Sequence, residues 1–206
     1  MRMKIVAAAS LVGLMATGCA DGGTDSTDAE PSPAGTLLPQ KLTKPKSDPD
    51  LEPTPSPAAD ASFAEQLEYE LRLRTLKMAQ AEGKTTVECP DLASTKGQQA
   101  TCKATYDGLK LDWYVSIGDN AAWSDDYVQY EATPSSGILT RDGVARLLFG
   151  NYQSLDYALC NDIPEAVLSP LDTQSEYKCE TVSQGKKPFG YAGTSLRATD
   201  AGPRAY

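Results

Sequence analysis

The chain has 206 residues, with 28 Asp and Glu against 19 Lys and Arg, for a net charge of −9. An acidic chain of this kind has no footprint for nucleic acid. It also has no histidine, which excludes Ser-His-Asp triads, Cys-His dyads and every metal site built on imidazole.

The N-terminus opens with a basic head, Arg2 and Lys4, followed by the apolar run "IVAAASLVGLMAT" from Ile5 to Thr17. A basic n-region before a short apolar h-region reads as a secretory signal peptide over residues 1–18. The run falls short of the ~20 apolar residues that span a bilayer. It closes on "ATGC", residues 16 to 19, which resembles a bacterial lipobox. In that motif the chain is cut before the cysteine, and the thiol carries a diacylglycerol. Ala16 departs from the usual leucine at that place, and small residues there also suit an ordinary signal peptidase, so plain secretion is the alternative. Five cysteines are an odd number. Lipidation of Cys19 would leave four that can pair, and would place the lipid bilayer among the partners. Loss of Arg2 and Lys4 with the signal peptide takes the charge to −11 (17 basic against 28 acidic residues).

Residues 19–61 are expected to form a disordered tether. Eight of the fourteen prolines fall there, no aromatic does, and Leu37, Leu38, Leu42 and Leu51 are the only large aliphatics. Such composition buries too little apolar surface to offset ordering entropy. Fully extended at ~3.1 Å per residue, the segment would reach on the order of 100 Å. A docking role for "GTLLPQKL" and glycosylation of "PTPSP" are compositional alternatives to a plain spacer.

Helical spacing begins at Ser62. "SFAE" fits a capping box of Ser62 and Glu65, and Phe63, Leu67, Leu71, Leu76 and Met78 build an apolar face, with Gly83 as the expected stop. Strands follow in "TTVEC" (85–89), "ATCKATY" (100–106), "LKLDWYVSI" (109–117) and "DYVQYEA" (126–132). Asp107-Gly108 between two alternating runs signals a hairpin. The pattern then returns. Thr140 is a second N-cap, Val144, Leu147 and Leu148 a second apolar face, and Gly150 a second stop. "LDYALCNDI" parallels "TTVECPDL", "EYKCETVSQG" parallels "QATCKATYDG", and Gly185 follows Cys179 at the six-residue interval that separates Gly108 from Cys102. These matches predict a duplicated α+β unit: module 1 over 62–133 and module 2 over 134–206, each a helix on an antiparallel sheet. The alternative is one larger sheet carrying two hairpins.

In an exported chain Cys89, Cys102, Cys160 and Cys179 are expected to form disulfides. Three pairings are possible, and the repeat reading favours Cys89–Cys102 with Cys160–Cys179. No C-x-x-C is present to suggest a redox couple. Over Ser62–Ile117, the Cys89-Pro90, Gly97 and Cys102 pattern resembles an actinobacterial family of secreted and lipoprotein modules known only as a domain of unknown function. The second module departs from it at Asn161, where the proline would stand. The resemblance implies a small helix-plus-sheet fold, export, and no established catalytic residues.

Two further stretches invite a site. "GDNAAWSDD" gathers Asp119, Asp125 and Asp126 beside Trp123, which suggests calcium or paired carboxylates, but it lacks EF-hand spacing and reads equally as an acidic loop. "GKKPFGYAG" places Lys186 and Lys187 before Phe189 and Tyr191 as the one basic-aromatic spot. No phosphate-binding or dinucleotide fingerprint is found. The expectation is a non-catalytic, lipid-anchored envelope protein with no metal and no cofactor, binding an envelope protein or peptide by strand addition. The alternatives are an envelope enzyme using paired carboxylates and a small-ligand carrier.

Overall fold

The computed structural model describes residues 35–92, 95–118, 128–190 and 193–206. In chain order the elements are β1 (Gln40–Leu42), α1 (Phe63–Ala79), β2 (Thr85–Glu88), β3 (Gln99–Tyr106), β4 (Leu109–Ile117), β5 (Tyr130–Pro134), β6 (Gly137–Thr140), α2 (Arg141–Asn151), β7 (Leu155–Cys160), β8 (Ala166–Ser169), β9 (Gln174–Ser183), β10 (Thr194–Thr199) and β11 (Gly202–Ala205). The fold is α+β. One sheet runs β2-β3-β4-β5 and carries α1; a second runs β1-β7-β9-β10-β11 and carries α2. All pairings within both sheets are antiparallel. Each helix therefore precedes four strands of its own sheet, and β6 pairs with β8 as a separate ribbon.

The capping box forms as the sequence predicts. The Ser62 N–H donates to Glu65 Oε2 at 2.7 Å and the Glu65 N–H donates to Ser62 Oγ at 3.3 Å, and the Ser62 backbone donor holds the Glu65 carboxyl below its ordinary range. Leu67, Leu71, Leu76 and Met78 are buried against Val87, Ala104, Leu111, Trp113, Val115 and Ile117. Trp113 is 1 % exposed. Its indole N–H donates to Thr75 Oγ1 at 3.1 Å, and that hydroxyl donates to Leu71 O at 2.7 Å. Burying such a ring removes on the order of 200 Å² from water, about 5 kcal/mol at most, and the hydroxyl relay leaves its N–H satisfied.

Both expected helix stops are displaced. α1 ends at Ala79, with Gln80 in the left-handed region at φ 52° and its N–H donating to Leu76 O. Gly83 serves another purpose. A Cβ there would lie 2.5 Å from the Tyr106 ring, so the glycine lets the chain cross the face of a buried tyrosine. α2 runs through Gly150 to Asn151, closed by the Tyr152 N–H on Leu148 O; Gly150 sits in the exposed last turn, where it costs little. The expected strand over 126–132 is shifted, because β5 begins at Tyr130 and residues 126–127 lie outside those described.

The largest difference concerns the tether. Residues 35–61 lie on the folded body. β1 joins the edge of β7, with Gln40 opposite Cys160 and Leu42 opposite Ala158. The Gln40 side-chain amide pairs twice with the Ile163 backbone, at 2.9 and 3.1 Å. Lys41 stands 4.2 Å from the Tyr157 ring centre, and Leu42 enters the second core. The chain then crosses to the first module. Arg146 on α2 donates to Ser47 O at 2.6 Å, Leu51 packs on the first core, Tyr69 bonds to Glu52, and Arg72 donates to Thr54 O and Pro55 O. The end of "GTLLPQKL" is thus a strand of the chain's own second sheet.

The modules meet where α1 ends and α2 begins. Thr140 Oγ1 donates to Ala79 O at 2.7 Å and accepts from the Gly143 N–H at 2.9 Å, and the threonine is 1 % exposed. One hydroxyl thus satisfies the last turn of one helix and the first of the next. A Cβ on Gly143 would lie 2.3 Å from Ala79 O, so only glycine permits the approach. Ile138, Ala166 and Leu168 of the β6–β8 ribbon pack into the first core, which binds the second half of the chain to the first. Thr140→Val keeps the shape but removes the cap and strands a buried carbonyl. We expect it to lower unfolding stability by about 2–4 kcal/mol in urea titration, while Thr140→Ser stays within about 1 kcal/mol of the parent.

Candidate functional site

The four described cysteines pair as Cys89–Cys102 and Cys160–Cys179. Cys89 lies one residue past β2 and Cys102 within β3, while Cys160 and Cys179 are register partners across β7 and β9. Each bridge joins the first strand after its module's helix to the next strand of the same sheet. The loops they close span sequence separations of 13 and 19, for which the chain-entropy model gives about 3 kcal/mol each. Two such bridges belong to an oxidising, extracytoplasmic compartment. Among the described residues, no helix is long and apolar enough to cross a membrane.

Of the other sequence-predicted residues, Cys19, Asp119, Trp123, Asp125, Asp126 and Tyr191 lie outside the described residues. Lys186, Lys187 and Phe189 are exposed on the connection from β9 to β10. Among the described residues no group of three Asp, Glu, Cys or His could hold a metal ion.

The structure instead brings together four carboxylates that the sequence left apart. Glu82 and Asp107 of the first module and Asp142 and Glu165 of the second line one cleft of about 620 Å³, together with Arg141. All four are exposed to solvent, which screens their mutual field. Glu82 accepts from the Asp50 N–H at 3.2 Å and Asp107 from the Lys84 N–H at 2.8 Å, while Arg141 Nε donates to Ile163 O at 3.2 Å. These commitments fix the walls of the cleft. The residues lie from 82 to 165 in sequence, so no local motif could announce them.

At the cleft floor Tyr106, 2 % exposed, donates to Glu82 O at 3.0 Å. Burial, with Asp107 and Asp142 adding negative charge nearby, pushes its phenol up to about 12.

A second feature is the edge of β5, the last strand of the first sheet among the described residues. The Ser135 N–H donates to Asp112 O and the Gly118 N–H to Gln129 O. By antiparallel alternation, the backbone groups of Tyr130, Ala132 and Pro134 then point away from β4. Pro134 is tolerated in the strand because the N–H it lacks would have faced outward. Beside this edge a groove of about 570 Å³ runs between Tyr130 and the first turns of α1, lined by Phe63, Gln66, Glu70 and Arg74. The Arg74 guanidinium stands 5.3 Å from the Tyr130 ring centre.

The Tyr106 phenol keeps its proton in the folded chain at a pH where the unfolded chain releases it. Its stabilising effect is complete below about pH 10 and is lost as pH rises toward 12. Unfolding free energy should therefore fall across this window by up to about 1.4 kcal/mol per pH unit from this group. Tyr106→Phe should flatten the fall, as read by denaturant titration at successive pH values. Compared with protein-family models, with curated proteins and with solved structures, the chain finds no match.

Proposed function

We propose that the protein is an extracytoplasmic lipoprotein, anchored by Cys19, whose duplicated modules form a non-catalytic binding scaffold at the cell envelope. The observation that carries this reading is the cysteine pairing. Two disulfides use Cys89, Cys102, Cys160 and Cys179, which leaves Cys19, at the end of the apolar leader, without a thiol partner in its own chain. Repetition of helix, bridged strand pair and two further strands supports an ancestral duplication. The same arrangement is the one expected from the resemblance of Ser62–Ile117 to exported modules.

A binding role is favoured over a carrier role because the space between α1 and its sheet is filled by Leu71, Met78 and Trp113. It is favoured over hydrolysis because all four cleft carboxylates are exposed and two of them, Glu82 and Asp107, are engaged by backbone donors. The partner is an extended segment of an envelope protein, added as a strand at the β5 edge, where backbone groups supply affinity and the flanking groove supplies selectivity.

Intact-mass spectrometry of the native protein should give a chain that begins at Cys19 and carries a diacylglyceryl group; an unmodified Cys19, or another start, would overturn the anchor. For the binding role, cross-linking of intact envelopes should capture one stoichiometric protein partner. Ala132→Pro removes an outward N–H without touching the ladder to β4. With its folding confirmed by urea titration, because Ala132 also packs on the first core, the variant should reduce capture at least tenfold. Equal capture by parent and variant would dismiss strand addition at this edge.

A further inference from the structure

The connection between β9 and β10 is built around a buried acid. Glu180 is 1 % exposed. It alternates with Cys179, which belongs to the core under α2, so its side chain leaves the opposite face of the second sheet. There its carboxylate accepts from the Phe189 N–H and, at 3.2 Å, from the Gly190 N–H. The loop is folded back over the sheet and held by two adjacent backbone donors. Gly190 stands at φ 68°, and a Cβ on Gly35 would lie 2.2 Å from its carbonyl oxygen. The N-terminal segment thus joins the body in contact with this loop.

What the loop presents is unusual for this chain. Phe189 is 58 % exposed, and Lys186 and Lys187 are exposed beside it. From Thr181 to Thr199 there is no acidic residue, in a chain of net charge −9. Between Cys19 and Gly35 the sequence leaves fifteen residues, 20–34, which reach about 50 Å when fully extended and span roughly 20 Å as a coil.

We propose that the 185–190 loop is a second membrane contact, in which Phe189 enters the headgroup boundary and Lys186 and Lys187 meet anionic headgroups. This rests on the anchoring of Cys19 proposed above. Neither lysine pair nor phenylalanine binds a membrane durably by itself, since each basic residue near an anionic surface strengthens binding only about fivefold. A short tether changes this by holding the loop at high effective concentration beside the surface. The contact orients the protein: the loop face of the second sheet turns toward the bilayer and α2 turns away.

The test uses the chain from Cys19 onward, coupled through the Cys19 thiol to a maleimide lipid in vesicles of phosphatidylcholine and phosphatidylglycerol. The other four cysteines are in disulfides and do not compete. A photoreactive benzophenone analogue replaces Phe189 or, as a control, the exposed Tyr114 on the outer face of the first sheet. Lipid adducts at position 189 should exceed those at 114 at least tenfold. They should fall about fivefold for each of Lys186→Gln and Lys187→Gln, and also when phosphatidylcholine is used alone. Equal adducts at the two positions, or none at 189, would overturn the proposal. Because the coupling is chemical, this outcome is independent of whether cells lipidate Cys19, which the native mass decides separately.

Discussion

The Thr140 hydroxyl is the hinge-pin of the molecule. It donates to the last carbonyl of α1 and accepts from the third residue of α2, so the negative end of one helix dipole meets the positive end of the other. Two helices placed this way fix the directions in which their sheets extend. The cleft lined by Glu82, Asp107, Asp142 and Glu165 opens beside this junction, and the β6–β8 ribbon reaches from it into the first core. Because the hydroxyl is buried and engaged twice, any rotation of one module against the other must first break a desolvated bond, whose loss is costly in the interior.

The strap is the second constraint on the arrangement. Residues 40–55 touch the β7 edge, α2, the first core and α1 in succession, and so tie together the parts that the helix junction positions. Composition alone reads this segment as a spacer. Its sparse leucines are what contradict that reading, for Leu42 is buried in the second core and Leu51 packs on the first. An average over forty residues hides two anchors that each find a prepared site.

Much of the fold was legible because it is encoded locally. The Ser62–Glu65 box, the Asp107-Gly108 hairpin and the alternation through Trp113 are short-range signals, and each stands where its spacing puts it. The bridges were legible through the internal echo of the cysteine spacings. What the sequence hid depends on distant partners. Gly83 reads as a helix stop until the Tyr106 ring is seen behind it. β8 is a four-residue run whose partner lies before α2, and β10 and β11 follow a loop whose path is set by Glu180. The cleft acids come from separate segments with no common motif. At the candidate partner edge, Pro134 is accommodated in β5 because the N–H it lacks would have pointed away from β4.

The row of residues through which β1 joins the second sheet has a mechanical meaning. Gln40 is opposite Cys160, Cys160 is opposite Cys179, and Cys179 is opposite Thr194. A pull on the N-terminal segment is delivered to the sheet along that row. Its two central strands are joined there by a covalent bridge. Tension can peel β1, held by three residues and one glutamine amide, but it cannot unzip β7 from β9. The weak link is placed outside the strong one, so strain would free β1 before it deformed the sheet.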